Sequence, residues 1–369
     1  MTLYPKSVQC SVKTSPKTSA RCAAVRCPFS IIYGVLLDTP FLFVRHGHPN
    51  ANLLTISSRS YQSEADLHKI QTAVAEWIAL AGFSGYLNPS DIGLRLCNGN
   101  RKYDHREIVR LWEAADGQIV GCGMVYPAWS SYEVLLHPAY RQPALEIEML
   151  DWAEREIIRQ MQQLGRDTQT IERHVFEGDT ARITLLHQRG YRRGEHSETI
   201  SVRRLDEPFP QPQLPDGFSI RSVAGEQDAD KLVALINDSF GLHWTSDAYL
   251  KVMGSPGYKG LTEMVVISPN GRFAASCILL PDARNRTVMF ENVGTHPEFR
   301  QMGLAKALLY AGMQHMQARD FTKAMVPHGT PDTTNPSNLT FTVDAATALY
   351  ASAGFLPTYK IYLYTMSAM

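Results

Sequence analysis

Residues 288–310 of this chain read VMFENVGTHPEFRQMGLAKALLY, and this stretch decides the fold of the second half. The segment 288–295 is rich in β-branched and apolar residues, which is typical of a buried strand. After Gln301 the apolar residues recur at helical spacing. They are Ala305, Leu308, Leu309 and Met313. The sequence therefore predicts a strand, a short turn and a helix.

Small residues stand in the turn where the predicted helix begins. Gly303 and Ala305 leave room for a ligand to approach the backbone. The first N–H groups of a helix have no partner within the helix and carry the positive end of its dipole. We therefore predict an anion site in this turn, most simply one for a phosphate.

Three motifs in this half resemble those of one enzyme superfamily. The pattern Arg300-x-x-Gly303-x-Ala305 after a strand resembles the acetyl-CoA signature of the GNAT N-acetyltransferases. Just upstream, residues 293–297 (VGTHP) resemble the end of the fourth strand of that family. Further downstream, residues 348–355 (ALYASAGF) resemble its second signature, in the expected order and at the expected separation.

The resemblance implies acetyl-CoA as cosubstrate and a binding site for it. Backbone groups of Val293 and Thr295 would pair with the pantetheine arm, and Arg300 and Lys306 would add positive charge near the pyrophosphate. The pyrophosphate itself would be held by backbone N–H groups of a continuous run of residues. These are Gln301, Met302, Gly303, Leu304, Ala305 and Lys306. No metal ion is expected at this site.

Two side chains are candidates for the chemistry. The resemblance implies that Glu291 takes the proton of the acceptor ammonium and that Tyr350 protonates the departing thiolate. By the period of two of a strand, Glu291, Val293 and Thr295 are expected to share one face. The alternatives are a salt bridge for Glu291 and simple core packing for Tyr350.

The first half repeats the frame of the second. The run HPAYRQPALE at 137–146 parallels HPEFRQMGLA at 296–305, and LLHQRGY at 185–191 parallels LYASAGF at 349–355. In the first copy Ala144 replaces the signature glycine, Pro143 removes an N–H group, and Glu146 would repel a phosphate. Tyr350 is matched there by His187 or Leu186, depending on the alignment. We expect no acetyl-CoA site in this copy.

The repeat predicts the domain organisation. We expect a degenerate GNAT-like domain at 51–206, a proline-rich linker at 207–216 and a catalytic GNAT domain at 217–369. The fold class is α/β (α+β), and each domain is expected to contain a central mixed, mostly antiparallel sheet flanked by helices. Residues 1–50 have no such pattern, and their basic, acid-poor start favours a disordered tail or a misassigned start codon over a transit peptide.

Composition limits the partners. Among 369 residues, 36 Lys and Arg balance 36 Asp and Glu, which favours neither nucleic acid nor a membrane surface. Six sparse cysteines do not form a disulfide framework, so we expect a cytoplasmic protein in which Cys122 and Cys277 are core residues.

The leading hypothesis is direct acetyl transfer from acetyl-CoA to an amine of a small molecule or peptide. A non-catalytic acyl-CoA-binding or regulatory module is one alternative. An acyltransferase with another acyl donor or acceptor is the other. The acceptor is open from sequence, and so is the choice between a monomer and a homodimer.

Overall fold

A computed structural model of the chain describes residues 56–166, 169–329 and 340–368. The tail expected at residues 1–50 lies outside these described residues. By its internal contacts, the segment Leu53–Met369 forms one unit, and the elements below all belong to it.

The first strand of the first repeat is followed by an amphipathic helix, as the apolar stripe of residues 64–81 predicts. Leu67, Ile70 and Val74 are buried on one face of this helix, against the sheet that follows. The helices of the repeat are α1 (Glu64–Ala81), α2 (Pro89–Leu94), α3 (His105–Ile108), α4 (Pro143–Gln163) and α5 (Thr180–Gln188). Its strands are β1 (Ser57–Ser60), β2 (Val109–Glu113), β3 (Ile119–Tyr126), β4 (Ser131–Leu136), β5 (Gln169–Phe176) and β6 (Arg192–Arg204).

The second repeat follows the same order. Its helices are α6 (Ala229–Phe240), α7 (Ser246–Met253), α8 (Leu304–Gln317) and α9 (Thr340–Ser352). Its strands are β7 (Ser219–Ser222), β8 (Thr262–Ile267), β9 (Phe273–Asp282), β10 (Thr287–Thr295), β11 (Lys323–Gly329) and β12 (Leu356–Ala368). Helix α7 was not predicted from the sequence. It is capped by the Thr245 hydroxyl, which accepts from the N–H of Ala248 at 3.2 Å.

The described strands form one twelve-stranded sheet in the order β1-β2-β3-β4-β5-β12-β6-β11-β10-β9-β8-β7. Only the β4–β5 and β10–β11 pairs are parallel, so the predicted mixed, mostly antiparallel sheet flanked by helices is confirmed. The last strands of the two repeats are exchanged. Strand β6 pairs with β11 of the second repeat, and β12 pairs with β5 of the first. The sequence did not predict this exchange, because it concerns which strands pair and not which segments form strands.

Matching ion pairs mark the start of each repeat. Asp66 accepts two hydrogen bonds from the guanidinium of Arg59, and Asp228 accepts two from that of Arg221. Each carboxylate also accepts a backbone N–H four residues before it. In both halves, an Arg–Asp ion pair with a spacing of seven residues thus stabilises the turn from the first strand to the first helix.

The apolar cores lie on the two faces of the sheet. The predicted core positions of Cys122 and Cys277 are confirmed, since both side chains are buried. In the second repeat, α8 packs Leu304, Leu308 and Met313 against the strands. Phe209 of the linker stacks on Tyr310 of α8, with ring centroids 6.2 Å apart. No helix in the described ranges is both long enough and apolar enough to cross a membrane.

Candidate active site

Strands β10 and β11 part beside the predicted phosphate turn. Their parallel pairing runs from Thr287 with Lys323 to Met289 with Met325 and ends there. Beyond that point a cavity of about 740 Å³ opens between them. The backbone of β10 therefore faces a cleft where an extended ligand can take the place of a neighbouring strand.

A β-bulge lies on β10 at the mouth of this cleft. Asn292 has φ +50°, and the register shifts between Glu291 and Gly294. Glu291 stands opposite Ile278, whereas Thr295 stands opposite Ala275, three residues away on β9. The prediction that Glu291 shares a face with Val293 and Thr295 is therefore wrong, because the extra residue of the bulge inverts the alternation. Glu291 points to the opposite side of the sheet.

Gly294 follows the bulge and allows close packing. A Cβ there would lie 2.7 Å from the ring of Phe240 at the end of α6. The side chain of Phe240 therefore covers the end of β10 and lines the large cavity together with Ser239.

The turn before α8 has the backbone of an anion site. Gln301 has φ +62° and Gly303 has φ +78°, and Gly303 is the N-cap of the fourteen-residue helix α8. A Cβ at Gly303 would meet no atom within 4 Å, so the space in front of the first helical N–H groups is open. Such N–H groups bind negative charge.

Most of the predicted cofactor-binding residues come together around this cavity. The predicted residues that line it are Val293, Thr295, Arg300, Gln301, Gly303, Leu304, Ala305, Lys306 and Tyr350. Met302 is not among the lining residues, and its side chain is 39% exposed.

The two predicted cations are partly engaged by the protein. The Arg300 guanidinium donates to the carbonyl oxygens of Thr295 and Ser239, each at 3.3 Å. The ammonium group of Lys306 lies 5.9 Å from the ring centroid of Tyr310. Arg300 thus braces the end of β10 against α6 while lining the cavity.

Tyr350 of α9 is buried in the wall of the cleft. Its ring lies 5.5 Å from that of His328 and 6.1 Å from that of Phe355. Burial raises the pKa of Tyr350, and the nearby charge of Glu291 raises it further. The phenol therefore stays protonated at neutral pH and can act as a proton donor.

A second cavity, of about 290 Å³, contains Glu291. Pro327 and Gly329 of β11 line both cavities, so the two lie next to each other along this strand. Burial raises the pKa of Glu291 to about 8, and the charges of Asp91 and Glu198 contribute to the shift. A carboxyl with this pKa can accept a proton and return it near neutral pH.

Sequence reasoning missed the first repeat's share of the smaller cavity. Its polar lining residues from that repeat include Asn88, Asp91, Arg95, Glu133, Arg173, His174, Asp179, Arg182 and Glu198. The available signal was weak, consisting of a charged residue, Glu133, within the otherwise apolar run YEVLL at 132–136. The pairing of β5, β12, β6 and β11 and the packing of α2 on β9 bring these residues to the cavity of Glu291.

In the first repeat, charged side chains pair with one another at the position that matches the larger cavity. Arg182 of α5 is buried, donates to the Val134 carbonyl at 2.7 Å and pairs with the Glu146 carboxylate. Arg141 pairs with Asp179 at 2.8 Å. Pro143 opens α4, so one N–H group is missing there. Buried charge pairs thus stand where the second repeat has an open cavity.

The described residues contain no group of three or more His, Cys, Asp or Glu side chains placed to hold a metal ion.

The sequence of the chain is similar to those of known acetyltransferases. Residues 230–355 match the acetyltransferase (GNAT) family model. A mycothiol acetyltransferase from Segniliparus rotundus is 25% identical over 169 residues, which are 39% of this chain and 58% of that protein. A mycothiol acetyltransferase from Salinispora arenicola is 26% identical over 220 residues, 56% of this chain and 67% of that protein.

Solved structures share the fold over most of the chain. A GCN5-related N-acetyltransferase from Sphaerobacter thermophilus aligns over 85% of this chain and 95% of its own, with a TM-score of 0.58 and 19% identity. A tandem GNAT protein from the clavulanic acid biosynthesis pathway aligns over 85% and 99%, with a TM-score of 0.57 and 15% identity. The chain therefore has the fold of a tandem GNAT protein, and its residues 230–355 match the GNAT acetyltransferase family.

Proposed function

We propose that this chain transfers an acetyl group from acetyl-CoA to the amine of a small molecule, with the second repeat as the catalytic half. The observation that carries the proposal is that the two cavities share lining residues of β11. Tyr350 lines the larger cavity, Glu291 lines the smaller, and Pro327 and Gly329 line both. Acetyl-CoA in the larger cavity and an amine in the smaller one would then meet between Tyr350, which can donate a proton, and Glu291, which can accept one.

The larger cavity fits acetyl-CoA. Its turn offers open helical N–H groups at Gly303 for a pyrophosphate, and the unpaired stretch of β10 offers backbone groups for a pantetheine arm. Acetyl-CoA, when bound, supplies the acetyl thioester. The bulge at Asn292 turns the backbone between Glu291 and Val293, and we propose that the Val293 N–H group polarises the thioester carbonyl.

Glu291 and Tyr350 have complementary proton-transfer roles in this proposal. Glu291 as a carboxylate removes one proton from the acceptor ammonium, so that a neutral amine forms the C–N bond. Tyr350 gives its proton to the sulfur atom as the C–S bond breaks. Since the pKa of Glu291 is raised to about 8 and that of Tyr350 is raised by burial, both groups are suited to these roles near neutral pH.

A small-molecule acceptor is favoured over a peptide. The smaller cavity, at about 290 Å³, is near the lower end of the range for small-molecule sites. Two relatives are also named mycothiol acetyltransferases, and this name supports a small-molecule acceptor. We propose the cytoplasm as the compartment, because Cys97, Cys122 and Cys277 are free thiols.

The test combines donor binding with turnover. Isothermal titration of acetyl-CoA is expected to give binding in the wild type and none in Gly303→Glu, which places a carboxylate in the open turn. Release of free thiol from acetyl-CoA with a panel of primary amines then reports transfer. Binding without turnover for any amine would favour the non-catalytic module, and turnover only with other acyl-CoA donors or with alcohols would favour the third hypothesis.

A further inference from the structure

We infer that Arg95, a residue of the first repeat, binds a carboxylate group of the acceptor, so that the acceptor is an amino acid or a small derivative of one. The inference rests on the proposed function and narrows its substrate class to amines that also carry a carboxylate. It assigns to the first repeat a direct part in substrate selection, although we expect no acetyl-CoA site there.

Packing of α2 on the second repeat places Arg95 at the smaller cavity. The side chains of Asn88 and Ser90 donate to two backbone carbonyl oxygens of β9, at 3.2 and 2.6 Å. Strand β9 pairs with β10, the strand of Glu291. Asp91 of α2 and Arg95, which directly follows this helix, are four residues apart and so lie on one face. Both line the cavity that contains Glu291.

The turn that carries Arg95 is anchored in the first repeat. Residues Arg95–Gly99 form a π-helical turn, in which the Asn100 N–H donates to the Arg95 carbonyl at 2.9 Å. The fully buried Asn100 side chain donates to the Val125 carbonyl of β3, also at 2.9 Å. Turns of this kind are frequent at functional sites. The backbone of Arg95 is thus held in place by β3.

Arg95 has the most accessible guanidinium of the smaller cavity. Its side chain is 35% exposed, whereas those of Arg173 and Arg182, the other arginines among the described lining residues, are 3% and 4% exposed. Each of these two is engaged by a carboxylate and by a backbone carbonyl. A ligand in the cavity is therefore expected to contact the guanidinium of Arg95.

Asp91 engages one edge of this guanidinium and leaves the other free. Arg95 Nε donates to the Asp91 carboxylate at 2.6 Å, and the ring centroid of Tyr126 lies 6.0 Å from the guanidinium carbon. An arginine side chain has five N–H donors, four of them on its two terminal nitrogens. Within the part of the chain that the structure describes, those four have no hydrogen-bond partner. Two parallel N–H groups of this kind match the two oxygens of a carboxylate.

Glu291 determines where the other charge of the ligand lies. The proposed transfer brings the ammonium group of the acceptor to this carboxyl, in the cavity that Arg95 also lines. Burial raises the pKa of Glu291 to about 8, and the positive charge of Arg95 opposes this shift. An ammonium group at Glu291 and a carboxylate at Arg95 would each meet an opposite charge. Such a ligand adds no net charge to the cavity, which limits the cost of removing it from water.

The acidic neighbours of Arg95 favour a carboxylate over a phosphate. Asp91, Glu133 and Glu198 line the same cavity, and burial raises the pKa of Glu198 to about 7. A carboxylate brings one negative charge, whereas a phosphate group brings about 1.5–2 at neutral pH. The larger charge costs more beside other carboxyls, since like charges repel strongly when shielded from water.

The apolar wall of the cavity bounds the body of the ligand. Phe83 and Phe176 contact each other edge to face, with ring centroids 6.0 Å apart, and Met289 of β10 lines the same cavity. These side chains would contact an aliphatic or aromatic side chain of the acceptor. We therefore expect apolar amino acids to bind better than glycine or serine.

Arg95 is a binding residue and adds no step to the transfer. Glu291 removes one proton from the ammonium group, the C–N bond forms and the C–S bond breaks as in the proposed transfer, and the carboxylate is unchanged. The acetylated product has lost the ammonium charge. It is therefore expected to bind more weakly than the acceptor.

Binding is measured with probe pairs that differ only in the carboxylate. Phenylalanine and phenylalaninol, and leucine and leucinol, share an ammonium group and a side chain, and the alcohol has a hydroxymethyl group in place of the carboxylate. Isothermal titration without CoA is expected to give at least about tenfold tighter binding of each amino acid, because hydrogen bonds between charged groups contribute about that much or more. The phosphonate analogue of phenylalanine is expected to bind more weakly than phenylalanine.

Two variants separate Arg95 from its ion pair. Asp91→Asn keeps the guanidinium and an oxygen that can accept from Nε, so the preference for the amino acid should remain. Asp91→Asn combined with Arg95→Gln removes both charges and leaves no uncompensated carboxylate. In this double variant the preference is expected to disappear, whereas the affinity for each alcohol should stay the same. Circular dichroism reports whether both variants are folded.

The matched control is Asp104→Asn combined with Arg106→Gln. This ion pair of the first repeat is exposed and lies outside the residues that line either cavity. Its removal is expected to leave all affinities unchanged. Equal binding of an amino acid and its alcohol by the wild type would overturn the inference. So would an equal preference in the double variant and in Asp91→Asn, tighter binding of the phosphonate, or no binding of either amino acid.

The inference and the proposed function fail separately. If acetyl-CoA does not bind the wild type, or if no amine is acetylated, the proposed function fails, whereas the carboxylate preference is still measured without CoA. Turnover gives a second readout. The KM for phenylalanine should rise at least about tenfold in the Asp91→Asn, Arg95→Gln variant, and that for phenylalaninol should not. Equal changes in both KM values would contradict a carboxylate site at Arg95.

Discussion

Leu186 occupies in the first repeat the position that Tyr350 occupies in the second. The N–H of Tyr191 donates to the Leu186 carbonyl at 3.0 Å, and the N–H of Phe355 donates to the Tyr350 carbonyl at the same distance. Gly190 and Gly354, which precede these donors, both have positive φ. The structure thus decides between the two sequence alignments. A leucine cannot donate a proton, so the first repeat lacks the phenol of the second.

Tyr350→Phe is expected to lower kcat by about 10²-fold or more, since a general acid contributes about 10²–10⁴-fold. Acetyl-CoA affinity and thermal stability should change little, because the ring stays in place. Steady-state kinetics and titration calorimetry measure the two effects. The matched control is Tyr310→Phe, a buried tyrosine of the same core. Full activity in Tyr350→Phe would limit this side chain to packing.

Acetyl-CoA is expected to bind with a stoichiometry of one per chain. The ion pairs around Arg182 fill the matching cleft of the first repeat, so Ala144→Gly should not create a second site. Gly303→Glu should abolish the single site through the repulsion of a carboxylate and a phosphate. Titration calorimetry of the three proteins provides the test, and two sites per chain would refute a silent first repeat.

Glu146→Ala is expected to destabilise the protein by about 3 kcal/mol, because it leaves the buried guanidinium of Arg182 without its partner. The double variant Glu146→Met with Arg182→Met should lose much less, since no uncompensated charge remains. Urea unfolding measures both free energies. Equal losses in the single and double variants would show that the pair is not coupled.

Glu291→Gln is expected to become more stable relative to the wild type as the pH rises from 5 to 9. The pKa of Glu291 is raised from 4.5 to about 8 in the folded chain, so the folded state holds a proton that the unfolded state has released. Wild-type stability therefore falls across this window, and glutamine does not titrate.

The expected change exceeds about 1 kcal/mol, since one pKa unit corresponds to about 1.4 kcal/mol. Urea unfolding at pH 5 and pH 9 measures it, and activity of the wild type should rise with pH as Glu291 loses its proton. The control is Glu226→Gln, at an exposed position. Its free energy of unfolding should differ from that of the wild type by the same amount at both pH values. If the stability difference between Glu291→Gln and the wild type is also equal at pH 5 and pH 9, the carboxyl of Glu291 titrates normally.

The second repeat is not expected to fold as an independent monomer. Residues 207–369 alone would lack β6, which pairs with both β11 and β12. Two exposed strand edges favour dimerisation or aggregation. Co-expression with residues 51–206 should restore a soluble complex. Light scattering and circular dichroism report the outcome, and a stable monomer of residues 207–369 would show that the strand exchange is dispensable.

Local sequence was sufficient for much of the molecule. The strand, turn and helix of residues 288–310 form as predicted, because hydrophobic periodicity and turn chemistry are local properties. The internal repeat was also visible in the sequence, in the parallel runs at 137–146 and 296–305. The phosphate turn followed from Gly303, whose positive φ and N-cap position need no distant partner.

Tertiary structure decided what the site contains. The bulge at Asn292 turned Glu291 away from Val293 and Thr295, because one extra residue inverts a period of two. The exchange of β6 and β12 brought Glu198 to the cavity of Glu291, and the packing of α2 on β9 brought Asp91 and Arg95 there.

The sequence by itself determined the strand, turn and helix of residues 288–310 and the internal repeat, since each depends on short-range pattern. The smaller cavity was decided only by the tertiary structure, because pairing and packing of residues far apart in the chain place its carboxyls together.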